Sequence, residues 1–135
     1  MFAEGFMNPS RWDYWDVDGN AKAGTAEAQE ALETAMRLDH DHPGANHLYI
    51  HLMEASGQPE LAMPAAQKLE GIVPISGHMV HMPGHIYLRV GEYEKAIDIN
   101  ERSQIVDQQF SEIWGEFRSL RQYAARQLCQ FTRGR

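Results

Sequence analysis

Apolar residues recur along most of this chain at spacings of three and four, the period of an amphipathic helix, with no alternation at the period of two that marks a strand. Ala28, Ala31, Leu32, Ala35 and Leu38 fall on one face of a helix predicted over residues 26–39, with Thr25 as its N-cap. Phe110, Ile113, Trp114, Phe117, Leu120, Ala124, Leu128 and Phe131 form a wider, aromatic stripe that predicts a separate long amphipathic helix over 108–131.

Between these runs the punctuation is dense. Residues 1–8 suit the last turns of a helix rather than its start, which predicts sequence upstream of Met1. Pro9, Gly19, Asn20 and Gly24 make 9–24 a long ordered loop, anchored by Trp12 and Trp15. His42-Pro43-Gly44 precedes a helix over 44–56 that ends near Gly57, and Pro59 opens another to Val73 with an expected bend at Pro64. A helix over 77–90 is expected to kink at Pro83-Gly84, and Gly91 turns the chain into a helix over 92–107. The fold class is all-α, one domain spanning 1–135.

A shift of 34 residues superimposes His47 on His81, His51 on His85, Gly57 on Gly91, Glu60 on Glu94 and Ala62 on Ala96. The pattern Gly84-x-x-Tyr87 followed by Gly91-x-Tyr93-x-x-Ala96, with Ala62 at the small packing position and Pro74 closing the first copy, resembles the tetratricopeptide family. The resemblance covers about residues 26–107. It implies a right-handed α-solenoid of two full repeats, a preceding half repeat around Ala28-x-x-x-Leu32, and 108–135 as a C-terminal capping helix. Pro83, Asn100 and Ile50 depart from the family pattern, standing where leucine, an aromatic and a small residue are usual. The segments 42–56 and 77–96 look more specifically like large bacterial tetratricopeptide-like proteins without an established activity, which implies an excerpt or a shortened relative.

Histidine is the candidate chemistry. His47, His51 and Glu54 line one stripe of the 44–56 helix, and His78, His81 and His85 line one stripe of the 77–90 helix. The resemblance implies that both stripes face the concave groove, with Tyr87 packed between helices. Imidazoles reaching in from two neighbouring helices suit a transition metal, whether zinc, copper, iron or nickel, or a pair of metals. Aspartates 13 and 16 of the Trp-rich loop are further candidates, as ligands or as orienting groups, and Glu54 is alternatively a general base beside a metal-bound water. No HExxH motif supports a zinc protease. The alternative is a scaffold whose groove takes a peptide or partner helix without metal. His40 and His42 belong to a polar turn, while Tyr49, Tyr93 and Met79 read as packing.

Composition narrows this further. The net charge of −7 argues against a nucleic-acid surface, and no apolar run approaches a membrane span. The charge is uneven: residues 1–107 hold 7 basic and 17 acidic residues, whereas 108–135 hold five arginines against Glu112 and Glu116. The aromatic C-terminal helix is expected to cap the stack or to join a second copy in a homo-oligomer, and its arginines form a solvated face. One cysteine, Cys129, excludes an intrachain disulfide and a cysteine-rich zinc site. Without a visible signal peptide the expected location is cytoplasmic.

Overall fold

A computed structural model describes residues 2–10 and 12–114, and among these every regular element is helical. In chain order they are α1 (Phe2–Ser10), α2 (Thr25–Leu38), α3 (Pro43–Met53), a 3-10 turn (Pro59–Ala62), α4 (Met63–Ile72), α5 (Gly77–His81), α6 (Pro83–Val90) and α7 (Tyr93–Trp114). Helices α1 to α4 pack mainly on their neighbours in sequence, α1 on α2, α2 on α3 and α3 on α4, whereas α5 passes over α6 to pack with it on α7. Further contacts close the structure, among them α4 on α6 and α3 on α6. The second of these carries the histidines of α3 to those of α5 and α6.

The apolar faces meet in one main core. Ile50, Leu52, Leu69, Met82 and Ile86 are completely buried, as are the small residues Ala28, Ala62 and Ala66 that let helices approach. Each large side chain removed from water contributes about 1.5–3 kcal/mol, so this core outweighs any single polar contact of the site. A second cluster of Val80, Tyr87, Ala96 and Ile99 joins α5 and α6 to α7. Tyr87 is buried between helices, as expected, and its hydroxyl donates to Glu70. No helix among the described residues is long and apolar enough to cross a membrane.

Several boundaries differ from expectation, each for a local reason. Thr25 is the first residue of α2, not its cap: its hydroxyl donates to Tyr14 O at 2.8 Å and ties the loop down instead. Pro64 does not bend a longer helix, because the chain runs as a 3-10 turn to Ala62 and Pro64 then sits in the first turn of α4, where its missing N–H costs nothing. Pro83 divides the expected 77–90 helix into α5 and α6, with Met82 keeping helical dihedrals at the junction. Gly91 takes a left-handed φ of 85°, which lets Glu92 N donate back to Tyr87 O at 2.8 Å and ends α6. The expected division at 107/108 is absent, since α7 runs from Tyr93 through to Trp114. The rest of the predicted 108–131 helix, with Cys129, lies outside the described residues. Tyr93 is 46% exposed and packs less than expected, whereas Tyr49 is buried.

Candidate metal centre

Helix geometry places His47 and His51 one turn apart on α3, with ring centroids 4.8 Å apart. Glu54 follows at the C-cap of the same helix. Opposite them, Ser76 caps α5 by accepting from Met79 N at 3.4 Å, and the helix it starts presents His78. His47 Nε2 and His78 Nε2 stand 3.0 Å apart. One ligand nitrogen from each of His47, His51 and His78 lies within 4.8 Å of the other two. His47 and His51 are half-buried and His78 is exposed, so solvent reaches the cluster from one side.

Glu54 is the hub behind these rings. Its Oε1 lies 3.0 Å from His51 Nδ1 and its Oε2 lies 2.7 Å from His85 Nδ1. Trp12 Nε1 also donates to Oε1, at 2.7 Å. Burial raises the carboxyl's pKa, but the hydrogen bonds from His51, His85 and Trp12 outweigh it and hold the group well below the usual carboxylate range. A carboxylate accepting from three donors is an orienting group. It is poorly placed for the alternative role of general base, because both its oxygens already accept and its pKa is held low.

His81 and His85 form the third part of the cluster. His81 Nδ1 lies 2.6 Å from Asn100 Oδ1, and His81 Nε2 lies 3.0 Å from His85 Nε2. The His85 and His51 rings meet with centroids 5.5 Å apart, linking this pair to α3. Burial is the main cause that lowers the pKa of His47 and His81 to about 4, and it lowers that of His78 as well. Neighbouring imidazoles add to the effect in each case. These three rings are therefore neutral at neutral pH, the protonation state that metal ligation requires.

All six residues singled out from the sequence meet in this one cluster. The division at Pro83 changes how they meet: His78 turns to His47, and His81 turns to His85 and Asn100, so the expected single stripe is two. The loop aspartates do not take part. Asp13 pairs with Lys22, and Asp16 accepts from Asp18 N, Asn20 N and Asn20 Nδ2, which shapes the loop itself. The loop's contribution is Trp12, whose left-handed φ of 61° is uncommon for a bulky residue and aims the indole at Glu54 and edge-on at His51. Trp15 fulfils its expected anchoring role through Nε1 to Leu52 O at 2.7 Å. No family model, curated protein or solved structure matches this chain.

Two residues of the site escape sequence reasoning, Trp12 as a donor to Glu54 and Asn100 as a partner of His81. Asn100 does carry a signal, since it is a polar residue where the resembled family has an aromatic. His42 has a local role: its Nδ1 accepts from Ala45 N at 3.1 Å and caps α3. His40 instead lines a separate cavity of about 390 Å³ with Met36, Tyr49, Leu61 and Lys68.

Proposed function

We propose that this chain is a tetratricopeptide-like repeat module whose groove binds one transition-metal ion through His47, His51 and His78. The convergence of three imidazole nitrogens within 4.8 Å is the observation that carries this reading. Closing them onto an ion at about 2.0–2.1 Å requires side-chain adjustment, which the half-exposed position of the rings permits. His51 is positioned as a ligand, because Glu54 engages its Nδ1 and leaves Nε2 as the donor atom for an ion. This is the carboxylate–histidine arrangement that fixes a ligand's tautomer. Three protein ligands leave a position for water or substrate, and imidazole donors suit zinc, copper, iron or nickel. The repeat assignment is supported by the order of helix packing and by burial of Ala62 and Ala96, which stand one 34-residue period apart.

Calorimetric titration of metal-stripped, untagged protein with Zn²⁺ tests the reading. The expected result is saturable binding that includes one event lost in the triple variant His47→Ala/His51→Ala/His78→Ala. Undiminished binding in that variant would place the metal elsewhere. A groove that takes no metal and captures peptide would replace this reading with the scaffold alternative.

A further inference from the structure

We propose that His81 and His85 hold a second transition-metal ion, so that the groove is a two-metal centre. This second position rests on the three-histidine site for its companion, but shares no ligand with it. Its basis is the proton inventory of the pair. Asn100 is buried on α7, and its Nδ2 donates to Ala96 O at 2.6 Å, so its Oδ1 is the atom facing His81. A carbonyl oxygen only accepts, and His81 Nδ1 therefore carries the hydrogen in that 2.6 Å contact. On the other ring, His85 Nδ1 faces Glu54 Oε2 at 2.7 Å, and a carboxylate also only accepts.

With the hydrogens so placed at Nδ1, the tautomer that leaves each Nε2 free to ligate is the one its backing group favours. The two Nε2 atoms stand 3.0 Å apart. Two such nitrogens held this close are joined either by a shared proton or by a metal ion, and the surroundings hold them there. His81 is fixed by Asn100, His85 is fixed by Glu54, and the break at Pro83 sets one ring against the other. Gly84 is part of the device, because a Cβ at that position would meet Asn100 Nδ2 at 2.9 Å and displace it.

A metal ion engages both Nε2 atoms at once. At an ordinary metal–nitrogen distance of about 2.05 Å, nitrogens 3.0 Å apart subtend about 95°, the angle of two adjacent ligands. Imidazole-only donation selects a borderline divalent ion such as Zn²⁺, Cu²⁺ or Ni²⁺ over Mg²⁺ or Ca²⁺, which require oxygen ligands. Glu54 links the two positions, engaging His51 of the first through Oε1 and His85 of the second through Oε2.

The test is the stoichiometry of Zn²⁺ taken up by metal-stripped, untagged protein. Wild type is expected to bind two ions per chain, and His81→Ala one. His81→Phe keeps the ring volume and should behave as His81→Ala does, which separates ligand loss from a packing defect. Asn100→Leu keeps both histidines but releases His81, and should weaken only the second event, by about 10–100-fold. One ion in wild type, unchanged in both His81 variants, would overturn the second position and leave the three-histidine site standing. Two ions in the His81 variants would overturn it as well. No ion at all would overturn both.

Discussion

Helix α3 has two polar faces, and they are built on opposite rules. On one, every donor meets an acceptor: Asn46 Nδ2 donates to His40 O and His42 O, Tyr49 OH donates to Glu33, and His42 accepts from Ala45 N. On the other, imidazole nitrogens face imidazole nitrogens, His47 against His78 and, on the neighbouring helices α5 and α6, His81 against His85. Complementary pairs hold a fold together and ask for nothing more. Like pairs are where the proposed function places a cation, and Asn100 and Glu54 back the His81–His85 pair from behind. The contrast teaches that the number of hydrogen-bonding groups is a weaker sign of function than whether their partners are of the opposite kind.

The strongest way to break this comparison is to remove the facing nitrogens. His47→Ala/His78→Ala should abolish binding at the three-histidine position while leaving the far-UV circular dichroism unchanged, as these rings lie outside the apolar core. Calorimetry on the variant would show it, and undiminished binding would mean that the facing nitrogens are incidental. Next in size is the group behind them. Glu54→Gln offers an amide where three donors need an acceptor, and metal affinity should fall about 10–100-fold. An unchanged dissociation constant would show that the hub does not orient its rings.

Acid should separate the two faces without mutation. The pKa of His47 and of His81 is lowered to about 4 in the folded chain from 6.5, so the unfolded chain takes up protons that the folded chain refuses as pH falls through that window. The metal-stripped protein should therefore lose thermal stability between about pH 6.5 and pH 4. Glu54 is also lowered, from an ordinary 4.5, so its stabilising contribution is present above that pH and lost below it. His51, His78, His85, Glu54 and Asn100 surround the two histidines, so His47→Phe should shrink the acid response. A melting temperature flat across the window would contradict the burial assigned to these rings. The smallest effect belongs to the complementary face. Tyr49→Phe deletes one hydrogen bond to Glu33 and should cost about 0.5–1.5 kcal/mol of stability, read from denaturant melts, with metal affinity unaltered.

How much of this is legible in the sequence follows from the range of each interaction. The all-helical class and the pairing of His47 with His51 depend on spacings of three and four, which the sequence displays directly. The 34-residue period relates the histidines of α3 to those of α5 and α6, and these are the helices whose rings meet. What local spacing does not reach are contacts made by the fold. Trp12 meets Glu54 across 42 residues and Asn100 meets His81 across 19, through a loop and a helix whose docking depends on the whole core. A break at Pro83 follows from the sequence, yet its consequence does not, since turning His81 away from His78 depends on Asn100 arriving from α7. Asp13 and Asp16 are candidates by residue type alone, and the loop uses them for its own shape.

Elemental analysis of untagged protein, purified without chelator after metal-replete expression, tests the central claim most directly. A transition metal at one or more equivalents per chain is expected, and one equivalent should be lost in the His47→Ala/His51→Ala/His78→Ala variant. Metal-free wild-type protein, or metal retained in full by that variant, would contradict it.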